Sequence, residues 1–374
     1  MIIRIFGDAE LELFFTNKKI DKKLITHLTI HHCDNLTPYS FTESIRRLRA
    51  LTTFKIFNCD KLTHLPDSFG QLLELTTLTI SCKKLTYLPE SFGNLSALTT
   101  FIITNCDKLT NLPDSFGNLS ALTTFYIEFC DNLTHLPETV GRMRALTTLQ
   151  INYCKNLTHL PDSFGNLQAL TQLTIEYCNN LTHLPESIGN LQALTTLNID
   201  TCNNLTHLPD SICKLNALTT FEISYCDNLT LYSLTESFGQ LIALTTFKIL
   251  YSKKLTHLPE SFGQLRALRE LKIQLYNNLI HLPDSIGNLH ALTELTIEYC
   301  TNLTHTVLPN TICFCKNLQN IIISNINILP PSMILLEKLN DIRVRDKNYI
   351  TTTYNINELR LIWYHSILNY KLNI

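Results

Sequence analysis

Apolar and polar residues alternate in this chain in a pattern that returns every 24 residues over much of its length. The stretch Leu146–Ala169 shows the repeating unit, LTTLQINYCKNLTHLPDSFGNLQA. The alternation around Leu149 and Ile151 predicts a short β-strand. The segment after Pro161 predicts one or two helical turns, often 3₁₀, that end at Gly165. A fixed period of this length predicts a solenoid of stacked strand and helix units.

Four positions of this unit, Leu146, Leu149, Ile151 and Cys154, fit the pattern L-x-x-L-x-L-x-x-C. On these positions the sequence resembles the leucine-rich-repeat family over roughly Ile25–Lys347. The segment L-P-x-S-x-G-x-L is most similar to the repeats of plant intracellular immune receptors and Ras-group leucine-rich-repeat scaffolds. The resemblance implies an α/β fold, a curved horseshoe solenoid. It would carry a parallel β-sheet on its concave face and short helical or 3₁₀ segments on its convex face.

The extent of the repeats divides the chain into three predicted parts. Residues 1–24 precede the first complete repeat and are expected to cap it, with short strands at Ile2–Phe6 and Leu11–Phe15. Residues 25–347 form the predicted solenoid, in which about fourteen strands begin at the first leucine or isoleucine of each unit. Residues 348–374 lack the repeat. They form either a C-terminal cap, with a short helix over Leu359–Leu368, or a tail that docks a partner.

Three repeats depart from the period. Cys82 comes one residue early, whereas Leu229–Leu234 and His305–Leu308 each contain a two-residue insertion. Each insertion is either a local bulge without function or a lip for a partner, and both interpretations stay open.

Composition narrows the classes of function. The chain has 30 basic and 32 acidic residues and no basic block, which argues against nucleic acid or an anionic membrane surface as a partner. No apolar run approaches the ~20 residues of a membrane-spanning helix. The N-terminal segment has too short an apolar run, and acidic residues too early, for a secretory signal. We therefore expect a cytoplasmic protein.

Ten of the 13 cysteines hold one repeat position just after the strand. They are Cys33, Cys59, Cys82, Cys106, Cys130, Cys154, Cys178, Cys202, Cys226 and Cys300. In leucine-rich repeats this position faces inward, where a reduced thiol serves as a small, weak donor to the turn. The sequence therefore predicts a column of buried, reduced thiols rather than stacked disulfides.

Histidines form a second column in the L-T-H-L-P segment: His64, His135, His159, His183, His207, His257, His281 and His305. Neighbouring imidazoles about 5 Å apart are close enough for a bridging metal. No carboxylate or cysteine recurs beside them, so we predict a solvated column and neither a metal site nor a cofactor. No serine has a paired base, and no glycine opens a phosphate-binding loop. The sequence thus predicts no enzyme.

Functional variation is expected at the third, fifth and seventh positions of the repeat, counted from its first leucine, because alternate strand residues face opposite ways. The eighth position is often aromatic. Tyrosines in a row beside carboxylates are typical of protein-binding hot spots, although the rings equally suit a role as covers of the adjacent turn. The predicted binding residues are Tyr126, Glu128, Phe129, Asn152, Tyr153, Glu176, Tyr177, Asp200, Glu222 and Tyr225.

The family resemblance implies a monomeric protein-interaction module or scaffold that binds a protein partner on its concave face. The alternative is a ligand-sensing or substrate-recruiting arm of a larger immune or signalling assembly, whose effector domain lies on another chain. The immune receptors carry a nucleotide-binding domain before their repeats. Because this chain lacks a phosphate-binding loop, we do not expect their switch function from it alone.

Overall fold

The computed structural model of the protein describes residues 1–17, 19–230, 236–254, 258–274, 282–298, 308–324, 329–345, 351–355 and 357. The chain divides into two compact units, Met1–Leu194 and Thr195–Ile374. In each unit, five-residue 3₁₀ helices alternate with short strands in most repeats. The predicted α/β solenoid architecture is therefore confirmed.

The first unit contains eight strands, which pair in parallel with their neighbours in chain order. The strands are β1 Ile2–Phe6, β2 His27–His31, β3 Thr53–Phe57, β4 Thr77–Ser81, β5 Thr100–Thr104, β6 Thr124–Glu128, β7 Thr148–Asn152 and β8 Gln172–Glu176. The helices are α1 Asp8–Thr16, α2 Pro38–Ile45 and the 3₁₀ segments Lys22–Leu24, Asp67–Gln71, Glu90–Asn94, Asp114–Asn118, Glu138–Arg142, Asp162–Asn166 and Glu186–Asn190.

In the second unit, eight described strands follow the same order. They are β9 Thr196–Asp200, β10 Thr220–Ser224, β11 Thr246–Leu250, β12 Glu270–Gln274, β13 Glu294–Glu298, β14 Asn320–Ile323, β15 Asp341–Arg345 and β16 Thr351–Asn355. The described 3₁₀ helices are Asp210–Lys214, Glu236–Gln240, Glu260–Gln264, Asp284–Asn288, Asn310–Phe314 and Pro331–Leu335. All of these pairs are parallel except β15 with β16.

The core consists of side chains that stack from repeat to repeat. Leu149, Ile151 and Phe164 are fully buried, as are their counterparts in neighbouring repeats. Phenylalanine rings of successive repeats continue the column, with the centroids of Phe92 and Phe116 6.0 Å apart. Burial of each such side chain stabilises the fold by roughly 1.5–3 kcal/mol, but only when a neighbouring repeat covers it.

Glycine in the 3₁₀ segment allows successive helices to approach closely. A Cβ atom at Gly165 would lie 2.1 Å from the backbone oxygen of Ser187 in the next repeat. Gly117 meets the backbone oxygen of Thr139 at the same distance. Since a real Cβ needs more than 3 Å from a backbone atom, any other residue would push the helices apart.

Polar side chains also connect the repeats. The hydroxyl of Thr147, at the second position of its repeat, donates to the carbonyl of Thr123 at 3.0 Å. On the helical side, the carboxylate of Glu138 accepts from the backbone N–H groups of Asp162 and Ser163 at 3.3 and 3.0 Å. Helix N-termini leave such N–H groups without intrahelical partners, so this glutamate satisfies donors of the next repeat.

The N-terminal prediction is correct for one strand and wrong for the other. Ile2–Phe6 is β1, but Leu11–Phe15 lies in helix α1. Gly7 has a φ of 80°, which turns the chain away from the sheet after β1. Helix α1 then buries Leu11 and Phe14, three residues apart and therefore on one face.

Two further details differ from the sequence prediction. Strands begin two residues after the first leucine of each unit, as in β7, because Leu146 packs inward before the ladder starts. The segment after the solenoid also adds a strand that the sequence did not predict, because β16 runs antiparallel to β15. The proposed helix at Leu359–Leu368, and most of both insertions, lie outside the described residues.

Candidate protein-binding face

The residue directly after most strands adopts a left-handed backbone, and we call these the corner residues. Apart from Gly7, their φ angles lie between 50° and 55°. The N–H of Tyr153 donates to the carbonyl of Glu176 at 2.8 Å, and that of Phe129 to Asn152 at 3.0 Å. The chain thus turns while its hydrogen bonds to the next repeat continue. The corner residues are Gly7, His32, Asn58, Asn105, Phe129, Tyr153, Tyr177, Thr201, Tyr225 and Tyr251.

Three corner residues of the first unit form an aromatic stack, Phe129, Tyr153 and Tyr177. The centroids of Phe129 and Tyr153 are 4.4 Å apart with the ring planes 12° from parallel. Those of Tyr153 and Tyr177 are 4.2 Å apart at 6°. Phe129 is 41% exposed, and the tyrosines are partly covered by their neighbours. The structure therefore brings these three predicted site residues into one continuous surface.

The other predicted residues of this unit lie beside the stack, on the outer sheet face. We define this face as the third, fifth and seventh positions of each repeat, which are the first, third and fifth residues of its strand, together with the corner residues. Glu128, Asn152 and Glu176 are register partners on β6, β7 and β8, and Tyr126 lies two positions earlier on β6. The buried Oδ1 of Asn152 has no hydrogen-bond partner among the described residues. This part of the face therefore offers hydrogen-bond acceptors next to aromatic rings.

The remaining predicted residues form a separate set in the second unit. Asp200 accepts from the hydroxyl of Thr201 at 2.8 Å, and Glu222 from that of Ser224 at 3.4 Å. Tyr225, 43% exposed, stacks on Tyr251 with centroids 4.5 Å apart. Here the carboxylates already have local donors.

Comparison with known proteins assigns the repeat to a family. A family model described as a leucine-rich repeat region matches residues 173–305, and one described as a leucine rich repeat matches residues 145–167. Among solved structures, a leucine-rich-repeat protein of Leptospira interrogans is 26% identical, with a TM-score of 0.55, over 85% of this chain and 83% of that one. This chain is a leucine-rich-repeat protein.

A second solved structure supports the same fold. The leucine-rich-repeat domain of the type III effector XopL is 25% identical, with a TM-score of 0.51, over 59% of this chain and 74% of that one. No curated protein matches the chain. Leucine-rich-repeat proteins are typically non-enzymatic interaction modules, whereas the closer likeness to immune-receptor and Ras-group repeats stays a prediction.

The described cysteines at the predicted repeat position of this leucine-rich-repeat protein form a buried column, and Cys300 lies outside the described residues. All described cysteines are free and buried. The thiol of Cys154 lies 3.6 Å from the carbonyl of Asn152, two residues earlier, and that of Cys130 lies 3.5 Å from the carbonyl of Glu128. Burial raises the pKa of Cys178 to about 12. The thiol of Cys178 is therefore held neutral beneath the corner residues.

The histidine column has a defined hydrogen-bond pattern. Nδ1 of His159 lies 2.8 Å from the hydroxyl of Thr158, which donates to the carbonyl of Thr134 at 3.3 Å. Because the hydroxyl has one proton, Nδ1 is the donor whenever the hydroxyl donates to this carbonyl. His135 stacks on His159 at 6.3 Å. His257, His281 and His305 lie outside the described residues.

Within the described ranges, no group of three or more histidine, cysteine or carboxylate side chains is arranged to hold a metal ion. In the same ranges, no helix is long and apolar enough to cross a membrane.

The predicted binding residues leave out several charged residues on the outer sheet face. Arg4 and Lys55 are aligned on either side of Thr29 on β1, β2 and β3. In the second unit, the carboxylate of Glu298 is only 1% exposed and lies 3.1 Å from the guanidinium of Arg345. The alternation in IIRIF placed Arg4 at an outward position, but this segment was interpreted only as a cap. The Glu298 pair joins residues far apart in sequence, which no local pattern reports.

Proposed function

We propose that the protein is a non-enzymatic interaction module that binds a protein partner on its outer sheet face, the predicted concave surface. The aromatic stack of Phe129, Tyr153 and Tyr177 is the observation that supports this proposal most directly. It presents three rings beside Glu128 and Glu176 on a hydrogen-bonded backbone.

Pre-organisation is the physical reason why such a stack suits binding. Tyrosine combines a large apolar ring with a hydroxyl, and hot spots of protein interfaces are enriched in it. Ring stacking and the fixed corner backbone restrict these side chains before a partner arrives. Less conformational entropy is then lost on association, and more of the contact energy remains as affinity.

The experiment replaces the tyrosines without changing the backbone they occupy. Asparagine stands at the corners Asn58 and Asn105 with φ of 54° and 50°, so Tyr153→Asn with Tyr177→Asn should preserve the turn. A partner captured from the native cell should bind this variant at least ~2 kcal/mol more weakly, roughly 30-fold, measured by calorimetry.

The matched control changes two exposed residues outside this face, His159→Ala with His183→Ala, and should bind at full strength. Circular dichroism must show that both variants keep the wild-type spectrum. A folded tyrosine variant that binds normally, together with a histidine variant that fails to bind, would assign the interface to another surface.

We also propose that the protein acts in the cytoplasm, as a monomeric scaffold in signal transduction. The buried column of free thiols supports this location, because cysteines stay reduced in that compartment. Mass-sensitive size exclusion tests the monomeric state, and fractionation of the native cell tests the location.

A further inference from the structure

Charge is segregated along the outer sheet face of the first unit. The outward strand positions of β1, β2 and β3 carry Arg4 and Lys55 with histidines and no acidic residue. Those of β5 to β8 carry Glu128 and Glu176 and no basic residue. Between them, β4 presents only Thr77, Thr79 and Ser81, which are uncharged.

At the cationic end, the carboxylate of Glu10 accepts from the backbone N–H of Phe6 at 2.7 Å and does not pair with a basic side chain. Neither Arg4 nor Lys55 makes a hydrogen bond or ion pair to any described residue. On β2, the strand between those of Arg4 and Lys55, the ring of His31 is stacked between Phe6 and Phe57, and its centroid is 4.8 Å from each of theirs. Burial, and then the positive charges of His32 and Arg4, lower the pKa of His31. Positive charges on His31, His32 and Arg4 repel one another, and an anionic side chain of a partner would reduce this repulsion.

The acidic end, on β5 to β8, is suited to a cationic side chain of a partner. The side chain of Glu128, the register partner of Asn152, makes no hydrogen bond or ion pair to a described residue. Lys155, in the turn after β7, is already paired with Asp131 at 2.8 Å. An arginine or lysine side chain would meet acceptors here and the aromatic stack beside them, a combination that favours both ion pairing and cation–π contact.

The second unit shows that segregation is not a general property of these repeats. On its outer sheet face, Lys248 pairs with Glu270 at 3.0 Å, and Arg345 with Glu298 at 3.1 Å. Opposite charges there neutralise each other within the protein. In the first unit the opposite charges lie on different strands, and Arg4, Lys55 and Glu128 make no ion pair with a described residue.

We propose that the outer sheet face of the first unit binds an extended segment of a partner protein, with acidic side chains against Arg4 and Lys55 and basic side chains against Glu128 and Glu176. This inference rests on the proposed function and adds to it the chemistry and the alignment of the partner. Complementary charges at two separated points fix which end of the segment lies where.

The strand spacing sets the length of the segment. From β2, at the centre of the cationic end, to β7, at the centre of the acidic end, there are five strand-to-strand steps, or about 24 Å. An extended chain rises about 3.4 Å per residue, so about seven residues separate the two charged groups of the ligand.

Two labelled peptides of identical composition provide the probes. The first has two aspartates and two arginines at opposite ends of a glycine–serine spacer of about seven residues. The second alternates the same charged residues at one end of the spacer. Fluorescence anisotropy at low salt should show that the first peptide binds the full-length protein at least about tenfold more tightly than the second.

Charge inversion at each end then tests the alignment. Arg4→Glu with Lys55→Glu should weaken binding of the first peptide by at least about tenfold, as should Glu128→Lys with Glu176→Lys. The variant that combines all four changes should regain binding, because the peptide then lies in the opposite direction. A purely structural effect of the substitutions would not be reversed by combining them.

Two results would overturn the inference. One is equal binding of both peptides; the other is a quadruple variant that binds the first peptide no better than the two double variants do. If an inverted variant fails to fold by circular dichroism, Arg4→Gln with Lys55→Gln and Glu128→Gln with Glu176→Gln replace it and should give the same losses. A native partner that depends on Tyr153 and Tyr177 but not on these charges would leave the proposed function intact and refute only the inference. A partner indifferent to the tyrosines would refute the proposed function.

Discussion

Tyr153 has a left-handed backbone, with φ at 54°, which costs most L-residues about 1–2 kcal/mol. Asparagine and histidine tolerate this region well, and they occupy Asn58, Asn105 and His32. The aromatic corners instead gain about 0.5–1.5 kcal/mol per stacked pair from their neighbours. Stacking thus offsets much of the strain, and the same arrangement displays a row of rings.

The end of strand β4 shows the effect of a single missing residue. In the repeat of β4 no residue stands between Ser81 and Cys82, so the corner residue is the one that this shortened repeat lacks. The carbonyl of Ser81 still accepts from the N–H of Asn58 at 2.7 Å, and the amide of Asn105 reaches its hydroxyl at 3.4 Å. A side chain from the following repeat therefore covers part of the gap. This short repeat is also the uncharged boundary between the two charged ends of the face.

The buried thiols make the free energy of unfolding depend on pH above neutrality. Burial raises the pKa of Cys178 and of Cys226 to about 12, whereas an unfolded thiol titrates near 8.5. Above that value the unfolded chain releases protons that the folded chain retains, so stability is complete below about pH 8.5 and falls as pH rises toward 12. Each thiol contributes a loss of about 1.4 kcal/mol per pH unit in this window.

Urea unfolding at several pH values between 8 and 10 checks this dependence. Cys178→Ala should lose stability at all pH values because a buried group is removed. Its slope against pH should be shallower, by about 0.7 kcal/mol per unit at about pH 8.5 and close to ~1.4 near pH ~10. Lysines and tyrosines are unchanged between the two proteins, so their titration cancels in the difference. Identical slopes would show that Cys178 ionises in the folded protein as easily as in the unfolded chain.

At the scale of elements, the repeating strands and 3₁₀ helices were predictable because each is fixed by local signals. Alternation around Leu149 and Ile151, followed by Pro161 and Gly165, suffices for one repeat, and the repetition confirms it. Helix α1 was missed because its short apolar run around Leu11 fits a strand as well as a helix. Only the packing of Leu11 and Phe14 on one side decides between the two.

The same limit applies to the candidate site. The outward positions of Glu128, Asn152 and Glu176 followed from strand alternation, and the structure places them in register. Which carboxylates have partners did not follow, because pairing depends on side chains one or two repeats away. Glu298 and Arg345 lie 47 residues apart and meet across β14.

This pair supports the last parallel strands of the second unit. Arg345→Ala would leave the carboxylate of Glu298, only 1% exposed, without its cation. Because Arg345 is 34% exposed, the loss should be smaller than about 3–5 kcal/mol, the cost typical of a fully buried pair. Thermal unfolding should therefore occur at a lower temperature. Adding Glu298→Gln should recover part of the loss, since the neutral amide is less costly to bury. If the double variant were as unstable as Arg345→Ala, charge burial would not be the cause.

At the scale of the whole molecule, a stack of repeats has no central core, and its stability depends on covered ends. The first strand, β1, pairs with β2 from Ile2 to Phe6, and the following helix buries Leu11 and Phe14. These elements cover apolar side chains and the backbone edge of β2. They also supply Arg4, so one terminal segment has both a structural and a proposed binding role.

Deletion of residues 1–24 tests the structural role. The truncated protein would expose the edge of β2 and lose the burial of Leu11 and Phe14, worth about 2 kcal/mol each. Unpaired strand edges template association between copies, so we expect oligomers by mass-sensitive size exclusion and a lower melting temperature. As a control, Ile2→Lys with Phe6→Lys changes two exposed side chains and keeps the strand, so it should remain at the size of the intact protein. The opposite result would be a truncated protein of monomer mass with an unchanged melting temperature. It would show that the remaining repeats do not need this segment to cover them.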